Sequence, residues 1–135
     1  MTGRNDGPGS RREARERAVE LAYEADMRSV PVDDLLRRLP LPPAEFTVEL
    51  LHAGEARRDE ADALVTEYAT GWTLERMPTM DRVVMRLAVA EMLTADTPTG
   101  VILAEAVDLA GRFSTDESSR FVNGVLAAIA RRVRP

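Results

Sequence analysis

Apolar residues return along this 135-residue chain at helical spacing, and proline or glycine interrupts that spacing at intervals. Helical periodicity begins near residue 10 and runs to about 28, with Ala14, Ala18, Leu21, Ala22 and Ala25 on one core-facing stripe. Ser10 is placed to cap the first turn, with Glu13 as its capping-box partner. Pro31 ends the segment; a short helix is predicted over 32–39, and the PLPP stretch at 40–43 is a rigid break. Two further helices are predicted over 44–55 and 58–70. Residues 71–78 (GWTLERMP) read as a connector with a short helical turn. Thr79 then reads as an N-cap, with Asp81 in the first turn where the helix dipole favours a negative charge.

The segment from 79 to about 94 is apolar on most sides, the mark of a buried central helix. Thr97-Pro98 opens the next helix, through about 112. Ser114 with Glu117 reads as a second capping box, opening a last helix through about 132. Within that helix Asn123-Gly124 is a turn signal, yet Phe121, Val122, Val125, Leu126 and Ile129 keep a helical period through it. Gly124 is therefore expected to mark a close helix–helix approach. No alternating strand pattern and no internal repeat is visible, so the fold class is all-α with about seven helices. Residues 1–9, rich in glycine and polar groups, are expected to be a flexible tail, and 10–135 a single helical domain.

Composition narrows the chemistry. Apolar residues are 44% and charged residues 30% of the chain, and no apolar run approaches the ~20 residues of a membrane span. The N-terminus lacks an apolar signal core, which makes a cytoplasmic location the default. There is no cysteine, and the one histidine, His52, cannot build a multi-histidine metal site and reads as structural. No glycine-rich phosphate loop or metal-spaced carboxylate cluster appears. Glu105 and Asp108 share a helix face with Arg112, a solvated network rather than an acid–base pair. Glu91, in the buried helix, needs a partner such as Arg86. No catalytic site, metal or cofactor is expected, and the chain does not read as an enzyme.

Net charge is −5, which taken alone argues against nucleic acid. Its distribution changes that reading. Residues 1–17 hold five Arg against three acids, a net +2, and residues 120–135 hold four Arg and no acid, a net +4. The stretch between, with nine Arg against 20 acids, carries −11. Basic ends on an acidic body can bind a polyanion locally. Lysine is absent; codon bias is the simpler explanation for that, although arginine is also the better phosphate fork.

On the first helix, Glu13, Glu20 and Glu24 form an acidic stripe, and Arg17 beside them is an expected intrahelical partner. Arg11, Arg12 and Arg15 form another stripe, flanked by Val19 and Tyr23, with no such local partner in view. Their spacing suits successive phosphates of a nucleic-acid strand; from spacing alone, a solvated basic face accounts for them slightly better. Arg120 on the last helix would extend the basic face if the two chain ends converge, whereas Arg131, Arg132 and Arg134 are expected to complement the dipole of their own helix. Trp72, Phe46, Phe113 and Tyr68 read as core plugs, leaving Tyr23 and Phe121 for base stacking.

These features together resemble the NusB transcription antitermination family over nearly the whole chain. Residues 10–23 (SRREARERAVELAY) are similar to that family's arginine-rich first helix. Residues 77–126 are similar to its C-terminal half through MPTMDRVVMRLAVAEML, AEAVDLAGRFS and above all DESSRFVNGVL. The resemblance implies two packed helical subdomains. It implies binding of the single-stranded boxA element of ribosomal RNA leaders, together with a small-subunit ribosomal protein (NusE), within an RNA polymerase antitermination complex. By position it makes Arg11, Arg12 and Arg15 the RNA-contacting arginines. It places Tyr23, Glu117, Arg120 and Phe121 near the RNA path, and Asp81 in the ribosomal-protein interface. Glu13 interrupts a basic run that is often continuous in the family, so weakened RNA binding is expected. Some actinobacterial relatives resemble homodimers, which leaves self-association open. Two other readings compete: a protein-interaction helical module that never touches RNA, and a detached RNA-binding domain of a ribosomal RNA cytosine methyltransferase.

Overall fold

The computed structural model describes the backbone over residues 8–135 and side chains from residue 11 onward. Most of the expected tail, and the Ser10 end of the first expected capping box, lie outside the described residues. Among the described residues there are seven α-helices and no strand: α1 (Pro8–Arg28), α2 (Val32–Arg37), α3 (Glu45–Ala56), α4 (Arg58–Tyr68), α5 (Thr79–Thr94), α6 (Thr99–Phe113) and α7 (Asp116–Val133). One turn of 3-10 helix, Leu74–Arg76, lies in the expected connector. The chain divides into two compact units, residues 1–52 and 53–135.

In the first unit α1 buries Ala14, Ala18, Val19, Leu21 and Ala25, and α2 buries Val32 and Leu35. The wholly buried hydroxyl of Thr47 on α3 donates to the Ala14 carbonyl of α1 at 2.9 Å. α1 ends in a Schellman arrangement: Val30 N–H reaches Ala25 O at 3.0 Å and Ser29 N–H reaches Asp26 O at 3.2 Å. The reversal puts Ser29 at φ 56°, a left-handed position that glycine would occupy without strain. His52 Nε2 stands 2.8 Å from Asp33 Oδ1 on the exposed surface.

In the second unit α5 is packed against α4, α6 and α7. Every residue from 83 to 92 is buried, Arg86 and Glu91 included. Arg86 is held by Asp62 of α4, Nε to Oδ1 at 3.1 Å and Nη2 to Oδ2 at 3.4 Å. The expected close approach at Gly124 is not there: Gly124 is exposed, and a Cβ on it would meet nothing within 4 Å. The tight crossings fall at Gly111, where a Cβ would lie 2.5 Å from Ser119 Oγ, and at Gly54, 2.8 Å from Leu87 Cδ2.

Proline sets several helix starts. Pro31, Pro78 and Pro98 occupy the N-cap positions of α2, α5 and α6, with no side-chain cap at any of them. Thr79, expected as the cap of α5, is its first helical residue. The capping box of α7 lies one residue beyond the expected pair: Thr115 accepts from the Ser118 N–H, and Ser118 accepts from the Thr115 N–H.

Arg131 and Arg132 lie in the last turn of α7, where their charge suits the helix dipole, and Arg132 and Arg134 also reach other elements of the second unit. Arg132 donates to Glu67 and to the Tyr68 hydroxyl. Arg134 reaches the end of α5: its Nε donates to Met92 O at 3.0 Å and its Nη2 to Ala95 O at 2.6 Å. Its Nη1 donates to Thr97 O and to Thr99 Oγ1 at the start of α6. A guanidinium fork thus satisfies carbonyls that the end of a helix leaves without partners. Among the described residues no helix is long and apolar enough to cross a membrane.

Candidate nucleic-acid interface

The basic stripe of α1 does not stand clear of the protein. Arg11 Cζ lies 4.3 Å and Arg15 Cζ 5.1 Å from the centroid of the Phe46 ring on α3, both within cation–π range. Arg15 is only 7% exposed, and Val19, one turn on, is buried outright. The apolar arc of α1 is therefore wider than its alanine stripe, and it takes in Arg15 of the basic stripe and the flanking Val19. Arg12 and Arg15 each have an interaction partner within the chain, so neither is a wholly unengaged cation. Arg12 remains exposed and Arg11 half-exposed. Arg17 pairs with Glu20 at 3.4 Å, as the wheel predicts. Tyr23, half-buried, lies two turns beyond Arg15 along α1.

Phe46 is the residue that sequence reasoning missed. It is half-buried and serves as a platform for two guanidinium groups, not as an interior plug. The signal available was an aromatic residue at the first turn of a helix rich in apolar residues, which does not point to arginines more than 30 positions away.

In the second unit, α7 turns Ser118, Val122, Val125, Leu126 and Ile129 inward. Its other face carries Glu117, Arg120, Phe121 and Gly124. Glu117 and Arg120 are exposed and make no ion pair among the described residues. Phe121 is half-buried, and its ring lies 6.0 Å, centroid to centroid, from that of Trp72, with the planes inclined by 59°. Trp72 is not the core plug expected; it is 48% exposed.

Asp81, expected at a protein interface, is 2% exposed and faces inward. Its Oδ2 accepts from the Ser118 hydroxyl at 2.9 Å, while Oδ1 has no hydrogen-bond partner in the protein. The cause is the proline before the helix. A carboxylate in the third helical position ordinarily accepts from the N-cap N–H, and Pro78 has none. The carboxylate instead joins the hydroxyl cluster of Ser114, Thr115 and Ser118 at the start of α7, where the partial positive charge of two helix N-termini favours it.

Among the described residues no group of three or more His, Asp or Glu could hold a metal ion. Of the expected surface network of Glu105, Asp108 and Arg112, the Asp108–Arg112 pair is present, Arg112 Nε donating to Asp108 Oδ2 at 2.9 Å.

Residues 12–131 match the model of the NusB family. The transcription antitermination protein NusB of Thermobifida fusca is 48% identical over 126 residues, covering 90% of this chain and 89% of that protein. That of Acidothermus cellulolyticus is 45% identical over 125 residues, covering 89% and 86%. The solved structure of T. maritima NusB superposes with a TM-score of 0.83 at 27% identity, covering 93% of each chain.

Proposed function

The chain belongs to the NusB family, and from that premise we propose that it is a transcription antitermination factor. In this role it binds the boxA-type single-stranded leader RNA of ribosomal RNA operons together with the small-subunit ribosomal protein NusE. It acts as an adaptor that delivers both to the transcribing RNA polymerase, with no chemistry of its own. Its close relatives are named transcription antitermination proteins, and the candidate site suits the same task.

The observation that carries the reading is the state of Arg11. Its guanidinium lies against Phe46 and makes no ion pair among the described residues, so its N–H edge is left for an external acceptor. A planar cation held against a ring loses less rotamer freedom on gripping a phosphate than one swinging in solvent. Arg12, exposed one residue on, supplies the second cation. On the second unit, taken by itself, Arg120 and Phe121 set a charge suited to a strand's backbone beside a ring suited to a base. Within the first unit, Arg15 is the buried support beneath Arg11 and Arg12. Asp81 contributes to a partner interface by holding the start of α7 in place, not by direct contact.

The test is a gel shift of a boxA-containing leader RNA, with and without the purified ribosomal protein. Binding of the wild-type chain, strengthened by the ribosomal protein and weakened by Arg11→Ala plus Arg12→Ala, is the expected result. No shift under either condition would leave a helical protein-interaction module in its place.

A further inference from the structure

The chain's single tryptophan stands in a position that the arginine-based reading does not use. Trp72 lies in the connector between α4 and the 3-10 turn, immediately after Gly71, whose φ of 84° gives the reversal that leads out of α4. The connector is held at both sides. Trp72 N–H donates to Ala69 O at 3.0 Å, and Arg82 Nη1 donates to Leu74 O at 2.8 Å. Arg82 is fixed in turn by Thr79 Oγ1. An indole 48% exposed on a pinned turn is placed rather than loose.

We propose, building on the RNA-binding reading above, that Trp72 and Phe121 together form a stacking step for an unpaired base of the bound strand. The two rings meet at 59°, so Phe121 supports the indole at an angle without covering it as a parallel stack would. The surroundings suit a strand: Arg76 and Arg120 are both exposed, and neither makes an ion pair among the described residues. On α7, Gly124 lies one turn beyond Phe121 with open space where a side chain would stand, so nothing rises from the helix there to block a sugar or base. The extent of the apolar surface decides between a base and a protein. Among the described residues 53–135, the exposed large hydrophobic side chains are Trp72 and Val101. A protein partner generally wants a contiguous apolar patch of several hundred Å²; one indole backed by one phenyl ring matches the face of a single base.

Because there is one tryptophan, its emission reports on this site alone. The wild-type protein is titrated with a single-stranded leader RNA oligonucleotide, with the same sequence in duplex form and, separately, with the ribosomal protein. Quenching of the emission and protection from acrylamide by the single strand, but by neither of the others, is the expected result. Trp72→Ala should weaken single-strand binding roughly ten-fold or more while leaving the salt dependence unchanged, because no phosphate contact is lost. Trp72→Phe, which keeps a ring on Phe121, should recover most of the affinity and guards against a folding defect. Wild-type affinity in Trp72→Ala, or an emission change caused by the ribosomal protein alone, overturns the stacking step. If the strand binds and the indole stays silent, the stacking step fails and the RNA-binding reading stands. If the strand does not bind at all, both fall.

Discussion

The guanidinium carbon of Arg15 lies 5.1 Å from the centre of the Phe46 ring, on a side chain that is almost wholly buried. A cation in that position acts first on the fold. Arg15→Ala should lower stability by about 2 kcal/mol, through lost packing of the stem and a lost desolvated cation–π contact. Arg15→Met, which keeps the stem, should cost less. Phe46→Leu should lose the ring contact to both Arg11 and Arg15 at small cost in buried area. Urea unfolding of the four proteins checks this; equal midpoints for wild type and Arg15→Ala would refute it.

Arg11 and Arg12 should behave differently. Each phosphate contact releases counterions, so each arginine removed should flatten the log–log salt dependence of leader-RNA binding by about 0.7, and the pair by about 1.4. Arg15→Ala should leave that slope unchanged even where it weakens binding by loosening the platform. A slope change for Arg15 equal to that for Arg12 would return Arg15 to the contact surface.

How much of this was legible in the sequence depended on whether the deciding interaction was local. Helix positions were readable because proline, capping residues and apolar spacing act within one or two turns, and the seven segments follow that punctuation. The cap of α7 was displaced by one residue because Ser114 and Thr115 are both competent and tertiary contact with Asp81 selects the arrangement centred on Ser118. Arg15 was misplaced for a different reason. A helical wheel sorts arginine to the polar face by its charge, whereas its stem and a ring on another helix make it part of the interior. Gly124 illustrates the same limit: a glycine inside a helix signals a close approach only if something approaches, and here that role falls to Gly111 and Gly54.

The bond between Ser118 and Asp81 joins the starts of α7 and α5, and its loss should be felt in both. Ser118→Ala removes the donor to a buried carboxylate and half of the capping box, a cost of about 2–3 kcal/mol. Asp81→Ala also removes the oxygen that has no partner, so the two changes should not add. In a double-mutant cycle the pair should cost about 1 kcal/mol less than the two single changes together. Additivity within error would show that the bond contributes nothing beyond its parts.

Arg134→Ala should destabilise the chain by about 2 kcal/mol, since several backbone carbonyls lose a charged donor at once. Arg134→Lys should recover only part of this, because an ammonium cannot reach both sides of the turn as the fork does. Thermal unfolding of the two variants measures the difference; full recovery by lysine would mean that charge alone suffices.

That same arginine has a bearing on the order in which the molecule matures. During translation the final carbonyls of α5 emerge well before Arg134, with the whole of α6 and α7 still to be made. The middle helix therefore leaves the ribosome with an open end, and its closure waits on a residue synthesised some forty positions later. The second unit thus cannot complete this closure until α7 and the arginine that follows it have been made.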